Sequence, residues 1–151
     1  MAQPVVLIIF SCQSGDTEKV ALAAAVGAIQ GRALIRLRRL PDPEGSSLTD
    51  TLTRMRKEYV PPTEKDIAGA DVVILASSEN SNASSVPWSS FLPLVRGLHQ
   101  DGKLTGKICT SIGGIAPMMT DMDFSPAEIM MTDPVALGRS LADKVRAARS
   151  A

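Results

Sequence analysis

The sequence predicts an α/β fold built on a parallel sheet, and three observations carry that prediction. Val5–Phe10 reads VVLIIF, a short, β-branched, uninterrupted apolar run suited to a strand buried on both faces. That run breaks abruptly into a Ser/Gln/Gly/Thr loop, and a helical segment rich in small residues, Lys19 to Gln30, follows at once. Strand-like and helix-like stretches then alternate along the rest of the chain, which is the pattern of βαβ units.

In order, strands are expected at Val5–Phe10, Ala33–Leu37, Asp71–Ala76 and Lys107–Ile112. Helices are expected between them, at Thr17–Gln30, more weakly at Leu48–Tyr59, and at Val86–Leu98. Right-handed crossovers then place helices on both faces of the sheet. Pro41–Ser47 reads as a loop within the domain, and Thr63–Asp66 as a short capped turn leading into the third strand. Asp133-Pro134 is a helix start, an N-cap followed by proline, and Leu137, Leu141 and Val145 mark the apolar face of the closing helix. Trp88 and Phe91, three apart, are expected to pack the third helix onto the sheet. Between Gly113 and Thr132 the pattern is irregular. Five of the seven methionines fall there, and Glu128–Met131 is the candidate fifth strand. Without it, the fourth strand is an edge that something must cover; the methionines could serve as a lid over a ligand, an oligomer interface or core filling, and the interface is favoured.

Composition narrows the function. At 151 residues the chain is read as one domain, 1–151, large enough for a core without disulfides or metals. Sixteen basic and sixteen acidic side chains cancel, which argues against nucleic acid and anionic membrane as partners. No apolar run is long enough to span a bilayer, and Met-Ala-Gln-Pro lacks a signal-peptide pattern, so a cytoplasmic protein is expected. One histidine and the distant cysteines Cys12 and Cys109 make no metal site, and Cys109 reads as core.

The loop after the first strand is the candidate site. It follows the carboxyl end of a buried strand and opens a helix, where free N–H groups and the helix dipole favour a phosphate. A P-loop needs Gly-Lys-Ser/Thr, whereas this loop ends Gly15-Asp16-Thr17. A dinucleotide fold needs several glycines, and Ser11–Thr17 contains one. A cysteine phosphatase built on Cys12 would need arginine where Glu18 stands, and a phosphoacceptor receiver would need acidic residues where the chain has Ser-Cys-Gln and Ser-Ser-Glu.

Cys12-Gln-Ser-Gly-Asp-Thr-Glu18 resembles the flavodoxin phosphate loop, Ser/Thr-x-Thr/Tyr-Gly-x-Thr/Ile-Glu. Ser77–Leu92 and Arg96–Lys107 are similar to the flavodoxin-like NAD(P)H:quinone oxidoreductases called tryptophan-repressor-binding proteins. Phe91-Leu92, Gly97-Leu98, Gly102, Leu104 and Gly106-Lys107 fall in register with them. Arg39-Leu-Pro-Asp42 resembles that family's Arg-Val-Pro-Glu, and the resemblance runs from about residue 4 to residue 112.

The resemblance implies a flavodoxin-like three-layer sandwich with strand order 2-1-3-4, FMN as cofactor, NAD(P)H as electron donor, a quinone as acceptor, and a dimer or other homo-oligomer. It implies that Cys12, Gln13, Ser14, Gly15, Asp16 and Thr17 hold the FMN phosphate. Ser78, Glu79, Asn80, Ser81 and Asn82 would face the ring, with Ser111, Gly113 and Gly114 in the third loop. His99 falls where the family places a tryptophan beside the flavin. No residue is assigned a catalytic role. The family's arginine and aromatic in the second loop, and its histidine beyond the fourth strand, have no counterpart here. The alternative is therefore a non-catalytic flavodoxin-fold protein with a weakened FMN site, serving as a binding or structural subunit.

Overall fold

A computed structural model describes residues 3–11, 15–42, 49–78, 87–126 and 133–150. Five strands, β1 (Val5–Phe10), β2 (Leu34–Arg39), β3 (Val72–Ala76), β4 (Ile108–Ile112) and β5 (Ser125–Pro126), form one parallel sheet ordered β2-β1-β3-β4-β5. The expected order 2-1-3-4 is therefore present. The helices are α1 (Asp16–Gln30), α2 (Asp50–Glu58), α3 (Glu64–Ala68), α4 (Trp88–Gln100), α5 (Ala116–Met119) and α6 (Pro134–Ser150), with a 3-10 turn at Thr120–Met122.

The two sheet faces read directly from the strand alternation. Val6, Ile8 and Phe10 of β1 and Val72, Ile74 and Ala76 of β3 pack against α1, α2 and α6. Leu7, Ile9, Val73 and Leu75 point the other way, onto α3, α4 and the segment from Ile115 to Phe124. Both faces are covered, which is why β1 and β3 carry almost no polar residue. Trp88 and Phe91 are both buried in the second layer with ring centroids 6.3 Å apart, as the sequence suggests.

Several starts and stops follow elementary capping chemistry. Thr63 and Asp66 form a reciprocal capping box, with the Asp66 amide donating to Thr63 Oγ1 and the Thr63 amide donating to Asp66 Oδ2. The Ala136 amide donates to Asp133 Oδ1 at 3.0 Å, so α6 starts where Asp-Pro predicts. Lys107 Nζ donates to the carbonyls of Ala68 and Ala70, tying the start of β4 to the start of β3.

Three expectations change. β2 extends to Arg39 instead of ending at Leu37, because its arginines find acidic partners: Arg38 donates to Asp66 and Arg39 to Asp42. The fifth strand is the two-residue pairing of Thr110 with Ser125 and Ser111 with Pro126, assisted by Thr110 Oγ1 donating to the Ser125 carbonyl at 2.7 Å. The candidate strand Glu128–Met131 lies outside the described residues. Met119 and Met122 are buried in the α4 layer, so these two fill core space and do not form an interface. Cys109 is core as expected, and burial pushes its thiol up to about 11.

Candidate functional site at the carboxyl edge of the sheet

β1 ends at Phe10, and the chain re-enters regular structure at Gly15, the N-cap of α1. Gly15 sits at φ +92°, a left-handed conformation that an L side chain adopts only with strain. With no side chain of its own, Gly15 cannot cap the first-turn amides, and the first helical bond runs from the Lys19 amide to the Gly15 carbonyl. The positive end of α1 therefore opens onto the carboxyl edge of the sheet. Asp16 is exposed in this turn and Thr17 is buried. Cys12, Gln13 and Ser14 lie outside the described residues.

In the first turn of α1 stands a carboxylate network that local sequence patterns did not reveal. Glu18 is only 6% exposed and accepts from Arg54 Nη2 at 2.7 Å, Arg54 Nη1 at 2.9 Å and the Tyr59 hydroxyl at 2.7 Å. Arg54 also donates to Glu58 at 2.7 Å. The Arg54 guanidinium holds the Glu18 carboxyl below the usual carboxylate range, and burial together with Glu18 pushes the Tyr59 hydroxyl up. Tyr59 packs edge-on against Phe10, the last residue of β1, with centroids 4.9 Å apart. Arg54 and Tyr59 lie 36 and 41 residues from Glu18, and no short-range motif links them.

A second network borders the first. Arg39 and Arg56 both donate to Asp42, and a cleft of about 270 Å³ opens between them, lined by Arg39, Pro41, Asp42, Arg56, Tyr59 and Pro61. Burial alone would raise the Asp42 carboxyl, but its bonds to Arg39 and Arg56 outweigh that and hold it low. The Arg39-Leu-Pro-Asp42 match is thus a buried ion pair closing the turn after β2.

The loops after β3 and β4 are bound to each other. The Ser77 hydroxyl donates to the Ile112 carbonyl at 2.8 Å and accepts from the Ile115 amide at 3.2 Å, while the Gly114 amide donates to the Ser78 carbonyl at 2.9 Å. Gly113 has φ +88°, and a Cβ there would fall 2.0 Å from the Ser77 carbonyl oxygen, so the crossing demands glycine. Gly113, Gly114 and Ser78 do stand at the carboxyl edge, but their described bonds brace the two loops. Glu79, Asn80, Ser81 and Asn82 lie outside the described residues.

Two placements correct the sequence reading. Ser111 is fully buried on the face it shares with Cys109, and its hydroxyl offers no surface to a ligand at the edge. His99 lies in the last turn of α4, which has already run back toward the amino ends of the strands. Its Nδ1 is 4.0 Å from an oxygen of Asp123, two residues before β5 begins. Within one chain His99 is at the opposite end of the sheet from Gly15. Alignment had given it a position in a sequence; the helix direction gives it another in space.

Three carboxyls, Glu18, Asp42 and Asp66, are held below their ordinary values by arginine partners, in each case against the opposing effect of burial. A lowered folded value means these groups stabilise the fold above the unfolded value of about 4, and that the stability is lost as pH falls through the lowered values. The urea midpoint should therefore be level from neutral pH to about 5 and drop steeply below about 4. A midpoint that rises on acidification from 5 to 3 would contradict these pairings.

The architecture is that of the flavodoxin-like class. No protein-family model matches the sequence, and no curated protein is detectably similar to it by sequence. Solved structures are similar in fold. The flavodoxin, WrbA-like protein from Agrobacterium tumefaciens superposes with a TM-score of 0.65 at 13% identity, over 96% of this chain and 99% of that one. The Streptococcus pneumonia TIGR4 flavodoxin gives 0.58 at 15% identity, over 95% and 99%. A flavodoxin from the domain Archaea gives 0.55 at 11% identity, over 94% and 99%. At these identities the likeness shows the fold. Among the described residues no helix is long and apolar enough to cross a membrane, and no cluster of three or more His, Cys, Asp or Glu could hold a metal.

Proposed function

We propose that the chain binds FMN at the carboxyl edge of the sheet and serves as an oxidoreductase passing electrons from NAD(P)H to quinone-type acceptors. One observation carries this reading: the left-handed Gly15 opens the amino end of α1 at the crevice of a flavodoxin-like sheet. An anion belongs at such a helix end. Gly15, with no side chain in the way, gives the phosphate of FMN close backbone approach to the first-turn amides there, and the exposed Asp16 carboxylate in the same turn opposes it. The similar structures named flavodoxins support the choice of a flavin over another phosphorylated ligand. The chemistry that FMN supplies when bound is acceptance of hydride from a nicotinamide and reduction of a quinone. The protein's part is to seat the phosphate and keep the two loops after β3 and β4 fixed relative to each other.

A second reading, a non-catalytic flavodoxin-fold binding or structural subunit, draws on the ring end. There the Gly114 amide and the Ser78 carbonyl are bonded to each other, and His99 is far away. Titration with FMN, followed by quenching of flavin fluorescence, separates these readings when combined with an NAD(P)H–quinone turnover assay. Saturable uptake with turnover is expected. Uptake without turnover favours the subunit reading, and absence of uptake at millimolar FMN overturns the flavin site. We also read the chain as a homo-oligomer; sedimentation that finds only the monomer mass at micromolar concentration would reject that.

A further inference from the structure

The turn after β2 carries a cleft that the flavin reading leaves unused. The Leu40 amide donates to the Phe10 carbonyl at 2.9 Å, so this turn lies against the carboxyl end of β1. The Arg39 amide donates to the Val60 carbonyl at 3.1 Å, which brings the segment from Tyr59 to Pro61 beside it. The resulting cleft of about 270 Å³ is walled by two prolines, Tyr59 and two guanidiniums, and its size suits one end of a ligand. Tyr59 spends its hydroxyl on Glu18, so what it offers the cleft is its ring. Arg39 and Arg56 share one carboxylate, Asp42, so two positive charges in the lining face one negative. Glu18 and Glu58, the other carboxylates near Tyr59, are held by Arg54, and the exposed Lys57 adds a further positive charge to α2.

We propose that this cleft binds a phosphate monoester carried on a nucleoside, the adenosine 2′-phosphate of NADPH, with Arg56 as the residue that reads it. The proposal rests on the reading of the chain as an NAD(P)H oxidoreductase and deepens it by naming the donor. Arg56 is 45% exposed and spends only Nε, on Asp42 Oδ2 at 2.7 Å; among the described residues its two terminal nitrogens donate to nothing else. Those nitrogens form a planar donor face that matches a phosphate. Arg39, 5% exposed and bonded twice to Asp42, serves to hold that carboxylate in place. The state of Asp42 decides between the two nicotinamide nucleotides. In dinucleotide-binding folds a carboxylate downstream of the phosphate loop takes the ribose 2′-hydroxyl of NAD, whereas an arginine nearby accommodates the 2′-phosphate of NADP. Here the carboxylate is 3% exposed and accepts three N–H bonds from Arg39 and Arg56, so arginine is the group an arriving ribose meets. The span suits a dinucleotide as well. The loops after β3 and β4 stand two and three strands from β2, roughly 10 and 14 Å away at about 4.8 Å per strand. An extended dinucleotide with its 2′-phosphate at Arg56 crosses that distance to the ring end of the crevice.

The test compares direct binding of NADP+ and NAD+, which differ only in the 2′-phosphate, by calorimetry and by amide chemical shifts; it needs neither flavin nor turnover. NADP+ should bind about tenfold more tightly or better, the weight of a charge-assisted bond. Arg56→Gln should remove that preference and leave NAD+ binding unchanged, while Arg56→Lys should keep part of it, because the charge survives without the fork. Arg39 retains its bonds to Asp42 in both variants, so their urea midpoints should stay near that of the wild type. In the wild-type chain, shifts caused by NADP+ and not by NAD+ should centre on Leu40, Asp42, Arg56 and Tyr59. Shifts centred elsewhere overturn the site whether or not a variant folds. Equal binding of the two nucleotides, no binding of either at millimolar concentration, or a preference that survives Arg56→Gln overturns the proposal and leaves the FMN titration standing. Inorganic phosphate binding as tightly as NADP+ would make this a free-phosphate site and overturn the nucleotide assignment. A chain that prefers NADP+ through Arg56 yet takes up no FMN keeps the cleft and overturns the flavin reading instead.

Discussion

Replacing Gly138 with alanine is expected to destabilise the protein by about 3 kcal/mol, the upper end for overpacking a well-filled core. The Cβ of the new residue would lie 1.9 Å from the Ala24 carbonyl oxygen and 2.8 Å from the Ala28 nitrogen, both backbone atoms of α1 that cannot rotate away. The opposing side is equally tight: a Cβ on Gly27 would meet the Val135 carbonyl at 1.8 Å, and one on Gly31 would meet the Ala142 Cβ at 2.8 Å. α1 and α6 therefore pack through glycine and alanine at close range, with Ala21, Ala24, Ala28 and Ala142 fully buried. Arg146 and Arg139 hold the rim by donating to the Gly31 carbonyl and the Gln30 side chain. Alanine is the better helix former by about 1 kcal/mol, so a tolerant interface would make the variant more stable. The sign is thus decisive. Urea unfolding of Gly138→Ala that shows an unchanged or higher midpoint would mean that α1 and α6 do not approach as described.

That same interface shows what the chain declares openly and what it conceals. Val5–Phe10 and Val72–Ala76 were legible because a strand covered on both faces must be apolar throughout, and no helix of that length would read the same way with its flanking breaks. The Asp133-Pro134 start and the Thr63–Asp66 box were legible because capping chemistry is local. The small residues of α1 signal only that something comes close; that it is α6, more than a hundred residues later, is a fact of topology. The candidate site divides along the same line. Gly15 could be found from the break between strand and helix, since there the chain needs both a left-handed residue and an open helix end. Glu18 could be seen as a motif residue, yet its partners Arg54 and Tyr59 come from beyond β2 and carry no spacing that marks them. His99 failed for a complementary reason. Register with a family fixes a residue along the chain, while α4 carries it about 20 Å from the carboxyl edge, at 1.5 Å per residue.

Asp42→Ala is expected to cost about 3–5 kcal/mol, the range for removing one partner of a buried ion pair. The Arg39 side chain is 5% exposed and that of Asp42 3%, with bonds of 2.5 and 3.2 Å between them, and Arg56 Nε reaches the same carboxylate at 2.7 Å. Truncating Asp42 removes the carboxylate that Arg39 and Arg56 share at the end of β2, next to the Glu18 network, so the desolvation penalty of the nearly buried Arg39 cation is then less well offset. The pair itself is a different matter from the cost of breaking it. Arg39→Met/Asp42→Leu removes both charges and keeps apolar volume, and it should recover most of the loss, because a buried pair often contributes little net stability over a hydrophobic replacement. Thermal and urea unfolding of the two variants separate the cases. A double variant as unstable as Asp42→Ala would mean that the arginine's geometry, and not its uncompensated charge, is what the turn after β2 requires; Asp42→Ala with wild-type stability would show that Arg39 does not depend on this carboxylate at all.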